Sequence, residues 1–291
     1  MKRVILVLGT SGMLGSTIFR YLSKDPSFYL HGVSRSKFNK IPKTFNKNIT
    51  VKDLNKNNIA MIIKKIKPEF IINCVGIINH KINKNNVKET IYLNSMLPHI
   101  LADECIRRNV TLIHFSTDCV FNGTKGNYKE SDYSDCYDFY GKTKFVGEPY
   151  NRKTIVIRTS IIGHELNSKF GLLEWFLNQK KTVKGFKNFF FSGFPTVEIA
   201  EILYNYILKK KTIKSGLYHL GSTKISKFNL LRIIKNVYNK KDIVVNPCYK
   251  PIVNKTLNSK RFKQITNYKC PSWKDLIKKM YKFQHEFNVK K

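Results

Sequence analysis

Short apolar runs alternate with amphipathic segments through the first part of this chain. The run RVILVLG is followed by MLGSTIFRYLSK, in which Leu14, Ile18 and Leu22 fall on one helical face. The runs EFIINCVG, VTLIHFS and TIVIRTS continue the pattern, with helical segments between them. Strands that are apolar at nearly every position are typical of a parallel sheet covered by helices on both faces. The pattern therefore predicts an α/β fold built on a doubly wound parallel sheet.

The alternation weakens after about residue 160. The stretch GFKNFFFSGFPTVE combines aromatic residues with turn signals, and SGLYHLGS has the pattern of one further strand. We predict a sheet domain over residues 1–160 and a smaller α+β lobe over residues 161–291. A strand near residues 216–221 is expected to return to the main sheet.

The chain is strongly basic, with 53 Lys and Arg against 19 Asp and Glu and a formal net charge of +34. Such an excess suits nucleic acids, anionic surfaces or phosphorylated small molecules. The basic residues are scattered from Lys2 to Lys291, and no basic stripe alternates with aromatic residues. We therefore expect no specific nucleic-acid binding, although nonspecific attraction through charge stays open.

Six dispersed cysteines form no CxxC pair and none has zinc-like spacing to a histidine. This distribution predicts free thiols, with neither a disulfide framework nor a bound metal. No apolar run approaches transmembrane length, and the run after Met1 is short for a signal peptide. We expect a cytoplasmic protein that does not bind membranes.

The segment GTSGMLG places Gly9, Gly12 and Gly15 three residues apart, after a strand and at the start of a helix. Glycine at these positions permits a tight turn, a close approach of the backbone to a pyrophosphate, and close helix–strand packing. The helix N-terminus then faces the phosphates. The motif predicts dinucleotide binding on a Rossmann-type sheet. The expected contacts also include Ser11, Met13 and Leu14.

The second strand ends in GVSRSK, where a carboxylate would select NAD by binding the ribose 2′-hydroxyl. Instead, Ser34, Arg35 and Ser36 offer hydroxyls and a cation, which suit a 2′-phosphate. The sequence therefore favours NADPH over NADH.

Tyr140 and Lys144 lie four residues apart, so on a helix they share one face. A nearby ammonium stabilises a phenolate and lowers its pKa, which suits the Tyr for passing a proton to a substrate oxygen. Thr117 directly follows the fifth predicted strand, where ligands of such sheets bind. Its hydroxyl can orient a carbonyl group, and Ser116 is the alternative for that role.

The stretches STDCVFNGTKGNY and YGKTKFVGE resemble the dTDP-4-dehydrorhamnose reductase family of the extended short-chain dehydrogenases/reductases. VIRTSIIG, SGLYHLGS and the GxxGxxG spacing are similar to that family too. The resemblance implies NADPH-dependent reduction of the C4 ketone of a UDP- or dTDP-linked 4-keto-6-deoxy sugar. The product would be a rhamnose-type or 2-acetamido-2,6-dideoxy sugar, and the enzyme a homodimer.

The resemblance also implies roles for individual residues. Thr117, Tyr140 and Lys144 would be catalytic, and residues 161–291 would mainly bind the substrate. The adenosine half of the cofactor would contact Asp53, Leu54, Cys74, Val75 and Gly76. The substrate would contact Ser116, Thr117, Asp118, Cys119, Phe191 and Lys255.

Two departures from the family pattern bear on chemistry. Ile161 stands where the family has Trp, so the sugar pocket differs. Cys119 stands where the family has Tyr; in related epimerases, a Cys near this position acts beside the ketone. Cys119 is thus either an epimerase base for C3 or C5, with His164 as a candidate partner, or a small packing residue. Asp118 without a following Glu argues against a dehydratase.

A second function stays open. The same family includes a regulatory subunit of methionine adenosyltransferase, which keeps the fold and binds NADP. The chain could therefore be a non-catalytic NADP-binding subunit.

Overall fold

The computed structural model describes residues 2–35, 47–51, 53–166 and 169–288. The strands in these ranges are β1 (Arg3–Leu8), β2 (Phe28–Ser34), β3 (Lys47–Thr50), β4 (Phe70–Asn73), β5 (Thr111–Thr117), β6 (Thr154–Thr159), β7 (Ile161–Ile162), β8 (Lys181–Phe186), β9 (Phe189–Phe191), β10 (Phe194–Pro195), β11 (Gly216–His219), β12 (Ile225–Ser226), β13 (Ile243–Cys248) and β14 (Val253–Asn254).

The α-helices in the same ranges are α1 (Met13–Leu22), α2 (Lys56–Ile66), α3 (Val87–Ile91), α4 (Leu97–Arg107), α5 (Phe139–Val146), α6 (Leu172–Leu177), α7 (Thr196–Ile202), α8 (Lys227–Val237), α9 (Lys260–Thr266) and α10 (Trp273–Asn288). A π-helical segment, Tyr92–Met96, joins α3 to α4, and a second one, Leu203–Lys209, extends α7. These wide turns accommodate an extra residue within a helix.

Seven parallel strands form the main sheet in the order β11-β6-β5-β4-β1-β2-β3. The strand order reverses direction between β1 and β4, so the carboxyl ends of these strands flank a crevice of the kind that binds ligands in doubly wound sheets. The predicted Rossmann-type fold is confirmed. β11 pairs with β6 at the edge of the sheet, within the segment expected to return there.

The strands are apolar throughout because both faces of the sheet are covered. Along β1, Ile5 and Val7 face one buried cluster, whereas Leu6 and Leu8 face another. The first cluster continues through α1 and α7, and the second through α2 and α4. Burial on both sides explains why the alternation expected of a half-exposed strand is missing.

The C-terminal part adds three small sheets. β12 pairs antiparallel with β9, β14 pairs parallel with β9, β13 pairs parallel with β8, and β10 pairs parallel with β7. One hydrophobic cluster runs from Ile5 in β1 to Met280 in α10, so these additions share a core with the main sheet. The boundary at residue 160 stays a prediction.

Within the described ranges, no helix is both long enough and apolar enough to cross a membrane. The same ranges contain no cluster of three or more His, Cys, Asp or Glu side chains that could hold a metal ion.

Candidate active site

The turn between β1 and α1 has the geometry of a phosphate-binding loop. Gly9 adopts a φ of +84°, a conformation that side chains with a Cβ rarely take. A Cβ on Gly15 would lie 2.2 Å from the carbonyl oxygen of Gly9, so only glycine allows α1 to pack this closely. Gly12 caps α1 without a side-chain hydrogen bond, which leaves N–H groups of the first turn for an anion. These features fit the pyrophosphate of a dinucleotide.

The other predicted contacts in this turn have different surroundings. Ser11 and Met13 are partly exposed. Leu14 is buried in the core, so its side chain packs against the sheet and only its backbone is available to a cofactor.

Ser34 and Arg35 lie at the end of β2 on the same edge of the sheet. Ser34 is buried, and the Arg35 guanidinium lies 2.9 Å from the Glu89 carboxylate on α3. Both side chains of this ion pair are exposed, so the pair adds little to stability and its rearrangement costs little. The prediction for Ser36 falls outside the described residues.

Segments after β3 and β4 complete this edge. Asp53 is exposed, whereas Leu54 is buried. The hydroxyl of Tyr92 donates a 2.9 Å hydrogen bond to the carbonyl oxygen of Leu54. Cys74 lies against the glycine turn, since a Cβ on Gly9 would be 3.0 Å from its carbonyl oxygen. A Cβ on Gly76 would lie 3.9 Å from the Lys144 Nζ atom. Val75, between them, is partly exposed.

The predicted catalytic residues meet at the carboxyl end of β5. Thr117 ends the strand and is 7% exposed. α5 begins just after Asp138, whose side chain caps it, which places Tyr140 in the first turn and Lys144 one turn later. Lys144 donates a 2.7 Å hydrogen bond from Nζ to the carbonyl oxygen of Phe115. The Thr117 hydroxyl donates a 3.2 Å hydrogen bond to the Asp118 carboxylate and accepts one of 3.1 Å from the backbone N–H of Cys119. It also lies near enough to Tyr140 to influence the pKa of the phenol.

Burial dominates the acid–base properties of this group. It raises the pKa of Tyr140 above its usual value, and Cys119 adds to the effect while the nearby Thr117 hydroxyl opposes it. Burial also lowers the pKa of Lys144 to about 8. The sequence predicts a lowered pKa for Tyr140. The direction differs because the loss of solvation on burial outweighs the other effects on the phenol.

Asp118 and Cys119 follow Thr117 directly. Asp118 is buried, which raises its pKa, and Lys255 opposes that effect. Burial, followed by the charge of Asp118, raises the pKa of Cys119 to about 12, so at neutral pH it is a thiol. His164 has other partners than Cys119: its ring nitrogens bind Glu174 at 2.6 Å and the hydroxyl of Tyr238, just after α8, at 2.9 Å.

Ser116 has a partner that the sequence does not indicate. Its hydroxyl donates a hydrogen bond to Glu148, and Glu148 binds Arg158 through both carboxylate oxygens, at 2.7 and 2.8 Å. Arg158 is 3% exposed and also lies 3.4 Å from a ring nitrogen of His219. The Ser116 hydroxyl is therefore engaged by Glu148, which favours Thr117 over Ser116 for the predicted carbonyl-orienting role.

Asn94 is a further buried residue that sequence patterns do not reveal. It lies in the π-helical segment Tyr92–Met96 and is fully buried. Its side chain binds both backbone groups of Ile77, accepting a 2.8 Å hydrogen bond from the N–H and donating one of 3.0 Å to the carbonyl oxygen. It also donates a 3.2 Å hydrogen bond to the Thr143 hydroxyl on α5. Asn94 thus ties the loop after β4 to the helix that carries Tyr140. No local pattern singles it out, since its neighbour Ser95 is also polar and buried.

The C-terminal part contains the remaining predicted substrate contacts, Phe191 and Lys255. Phe191, a predicted substrate contact, is 8% exposed and packs in the core against Trp273, with ring centroids 5.6 Å apart. Lys255 is partly exposed and interacts electrostatically with the residues after β5. Lys227, which no sequence pattern indicates, also interacts electrostatically with Asp118 and Cys119, and its Nζ atom lies 3.6 Å from the ring centroid of Phe189.

Comparison with solved structures agrees with this architecture. The crystal structure of dTDP-4-dehydrorhamnose reductase from Bacillus anthracis, in complex with NADP, superposes with a TM-score of 0.79 and 16% identity. The match covers 97% of this chain and 99% of that chain.

Curated sequences are similar over large parts of the chain. A dTDP-4-dehydrorhamnose reductase of Aggregatibacter actinomycetemcomitans is 29% identical, across 74% of this chain and 72% of its own. Methionine adenosyltransferase 2 subunit beta of Bos taurus is 29% identical, across 50% of this chain and 42% of its own. The family model of the RmlD substrate binding domain matches residues 1–285. This chain therefore belongs to the RmlD substrate binding domain family, whose relatives include nucleotide-sugar reductases.

Proposed function

We propose that this protein is an NADPH-dependent reductase acting on the C4 ketone of a UDP- or dTDP-linked 4-keto-6-deoxy sugar. The observation that carries the proposal is the convergence of Thr117, Tyr140 and Lys144 at the carboxyl end of β5, next to the glycine turn. Similarity to a curated dTDP-4-dehydrorhamnose reductase supports the substrate class. The product would be a rhamnose-type or 2-acetamido-2,6-dideoxy sugar.

The residues present fit a nicotinamide dinucleotide. Gly9 and Gly15 allow the tight turn and the close packing of α1 against it, and the first turn of α1 offers its N–H groups to the pyrophosphate. Arg35 supports NADPH over NADH, because a cation rather than a carboxylate follows β2. When bound, the cofactor supplies the hydride.

The side chains of this chain then handle the ketone oxygen. Thr117 lies near enough to Tyr140 to influence the pKa of its phenol. Once the Thr117 hydroxyl turns from the Asp118 carboxylate, both hydroxyls can donate to one carbonyl oxygen placed between them. As the C4 oxygen gains negative charge, Tyr140 gives it a proton. The Lys144 ammonium, held by the Phe115 carbonyl, stabilises the resulting phenolate.

Replacing Tyr140 tests the reductase proposal. The purified protein is mixed with NADPH and either the dTDP- or the UDP-linked ketone, and loss of NADPH absorbance is followed. Tyr140→Phe should lower kcat by about 100-fold or more, because general acid catalysis contributes about 10²–10⁴-fold. NADPH binding, measured by fluorescence, should change little.

Tyr137→Phe is the matched control, because Tyr137 lies three residues earlier and is 82% exposed. It should keep full turnover. Failure of the wild-type protein to oxidise NADPH with either ketone would contradict the proposal.

A non-catalytic role is the second candidate. Similarity to methionine adenosyltransferase 2 subunit beta over half of this chain favours it. Under that role, NADPH would bind without turnover of either ketone, so the same assay separates the two functions. The homodimer expected from the family stays a prediction.

A further inference from the structure

Lys227 is the first residue of α8 and lies near the reaction centre. α8 begins directly after β12, which pairs with β9 so that Ser226 lies opposite Phe190. This placement brings the Lys227 ammonium into electrostatic interaction with Asp118 and Cys119, more than 100 residues earlier in the chain. A residue of the C-terminal part therefore faces the end of β5.

The Lys227 ammonium has unused hydrogen-bonding capacity. Among the described residues it makes no hydrogen bond or ion pair, and its close contact is the Phe189 ring, 3.6 Å from Nζ to centroid. Burial lowers its pKa, although Asp118 and Cys119 oppose that shift. An ammonium has three donors, and a cation–π contact uses none of them as a conventional hydrogen bond.

Lys255 provides a second cation at the same place. It follows β14, which also pairs with β9, and its charge acts on both Asp118 and Cys119. Two ammonium groups therefore act on the Asp118 carboxylate, beside a Cys119 thiol that is protonated. Asp138 also acts on Cys119, but its carboxylate caps α5 by accepting the backbone N–H of Gly141. A pair of cations in a partly desolvated cleft favours an anionic ligand.

We propose that Lys227, together with Lys255, binds the phosphate adjoining the sugar of a nucleotide diphosphate substrate. This inference rests on the proposed function, in which Thr117 and Tyr140 hold the C4 ketone. In such a substrate the anomeric phosphate is separated from C4 by the width of one sugar ring. The Phe189 ring holds the Lys227 side chain in place, which reduces the entropy lost on binding.

Direct binding of nucleotide diphosphates tests the role of Lys227. UDP and dTDP are titrated into wild type and Lys227→Gln by calorimetry. Loss of a charge-assisted hydrogen bond should weaken binding of whichever nucleotide the wild type prefers by about 10- to 100-fold. Lys227→Arg keeps the charge and should recover most of the affinity. NADPH affinity should be the same in all three proteins.

Lys224→Gln is the matched control. Lys224 lies 3.8 Å from the ring centroid of Phe190 in a similar contact, but it is exposed and is not among the groups that act on Asp118 or Cys119. This variant should bind UDP and dTDP as the wild type does. With the ketone substrate, Lys227→Gln should raise KM more than it lowers kcat.

The outcomes separate this inference from the reductase proposal. Lys227-dependent nucleotide binding in a protein that turns over neither ketone would support the phosphate site and overturn only the reductase activity. Equal affinity of Lys227→Gln and wild type, equal weakening by Lys224→Gln, or no binding of UDP and dTDP to the wild type would each overturn the inference.

Discussion

At the scale of single residues, Cys119 shows how the environment decides chemistry. Its position beside Thr117 and Tyr140 suits an epimerase base, yet burial and the Asp118 carboxylate raise the pKa of its thiol to about 12. Removing a proton from carbon requires the thiolate. At neutral pH the thiol is therefore almost entirely protonated. The geometry therefore favours plain reduction, with Cys119 as a packing residue.

A solvent-exchange experiment tests this interpretation. When the wild-type protein reduces the ketone in D₂O, proton NMR should find no enzyme-dependent deuterium at C3 or C5 of the product. Cys119→Ser should keep most of kcat, because a thiol that stays protonated takes no part in the reduction. A reaction without protein corrects for spontaneous exchange. Deuterium that enters C3 or C5 only with the wild type would instead establish epimerisation by Cys119.

At the scale of elements, the site depends on irregular segments that hold regular ones. The π-helical segment Tyr92–Met96 directs Asn94 towards the loop after β4 and towards α5. α5 packs closely there, since a Cβ on Gly147 would lie 1.8 Å from the carbonyl oxygen of Asn94. The placement of Tyr140 thus depends on a helix distortion as well as on its own helix.

Replacing Asn94 should therefore destabilise the protein. Asn94→Leu keeps the approximate volume but leaves the N–H and carbonyl groups of Ile77 buried without their partner. The free energy of unfolding should fall by about 2–4 kcal/mol, because each unsatisfied buried group costs about 1–3 kcal/mol. Urea denaturation measures the loss.

Asn85→Leu is the control for Asn94→Leu, since Asn85 is exposed on the segment before α3. Its effect should stay within about 0.5 kcal/mol. Similar unfolding midpoints for the two variants would mean that the hydrogen bonds of Asn94 do not stabilise the loop.

At the scale of the whole molecule, the net charge of +34 creates a field that attracts anions. The proposed substrate carries a diphosphate, so its capture should be faster than that of a neutral molecule. The same field attracts nucleic acids without sequence preference. The charge therefore bears on association rates rather than on the fold.

Salt should weaken substrate capture more than it slows chemistry. Raising the ionic strength from about 0.01 to 0.15 M shortens the screening length from about 30 to 8 Å. KM for the nucleotide sugar should rise several-fold, while kcat stays nearly constant. Adding sucrose at low salt controls for changes in viscosity. A KM that is independent of salt would show that the overall charge plays no part in binding.

Much of the fold follows from local sequence patterns. The alternation of apolar strands with amphipathic helices predicts the doubly wound sheet, and the observed strand order places the glycine turn at the crevice. The spacing of Tyr140 and Lys144 fixes them on one face of a helix wherever that helix lies. Each of these features depends on residues close together in the chain.

Long-range contacts and burial could not be predicted in this way. Chain spacing does not indicate that Lys227 and Lys255 face Asp118, that Glu148 engages Ser116, or that Phe191 lies in the core. It also gave the wrong direction for the pKa of Tyr140, because solvation depends on what surrounds a group in space.

The sequence by itself thus determined the sheet, the glycine turn and the helix that carries Tyr140 and Lys144, because backbone propensity and side-chain periodicity act over a few residues. Only the tertiary structure decided which side chains share the cleft, which of them are charged there, and which cations lie near Asp118. These properties arise where distant segments exclude water together, and no local pattern records that exclusion.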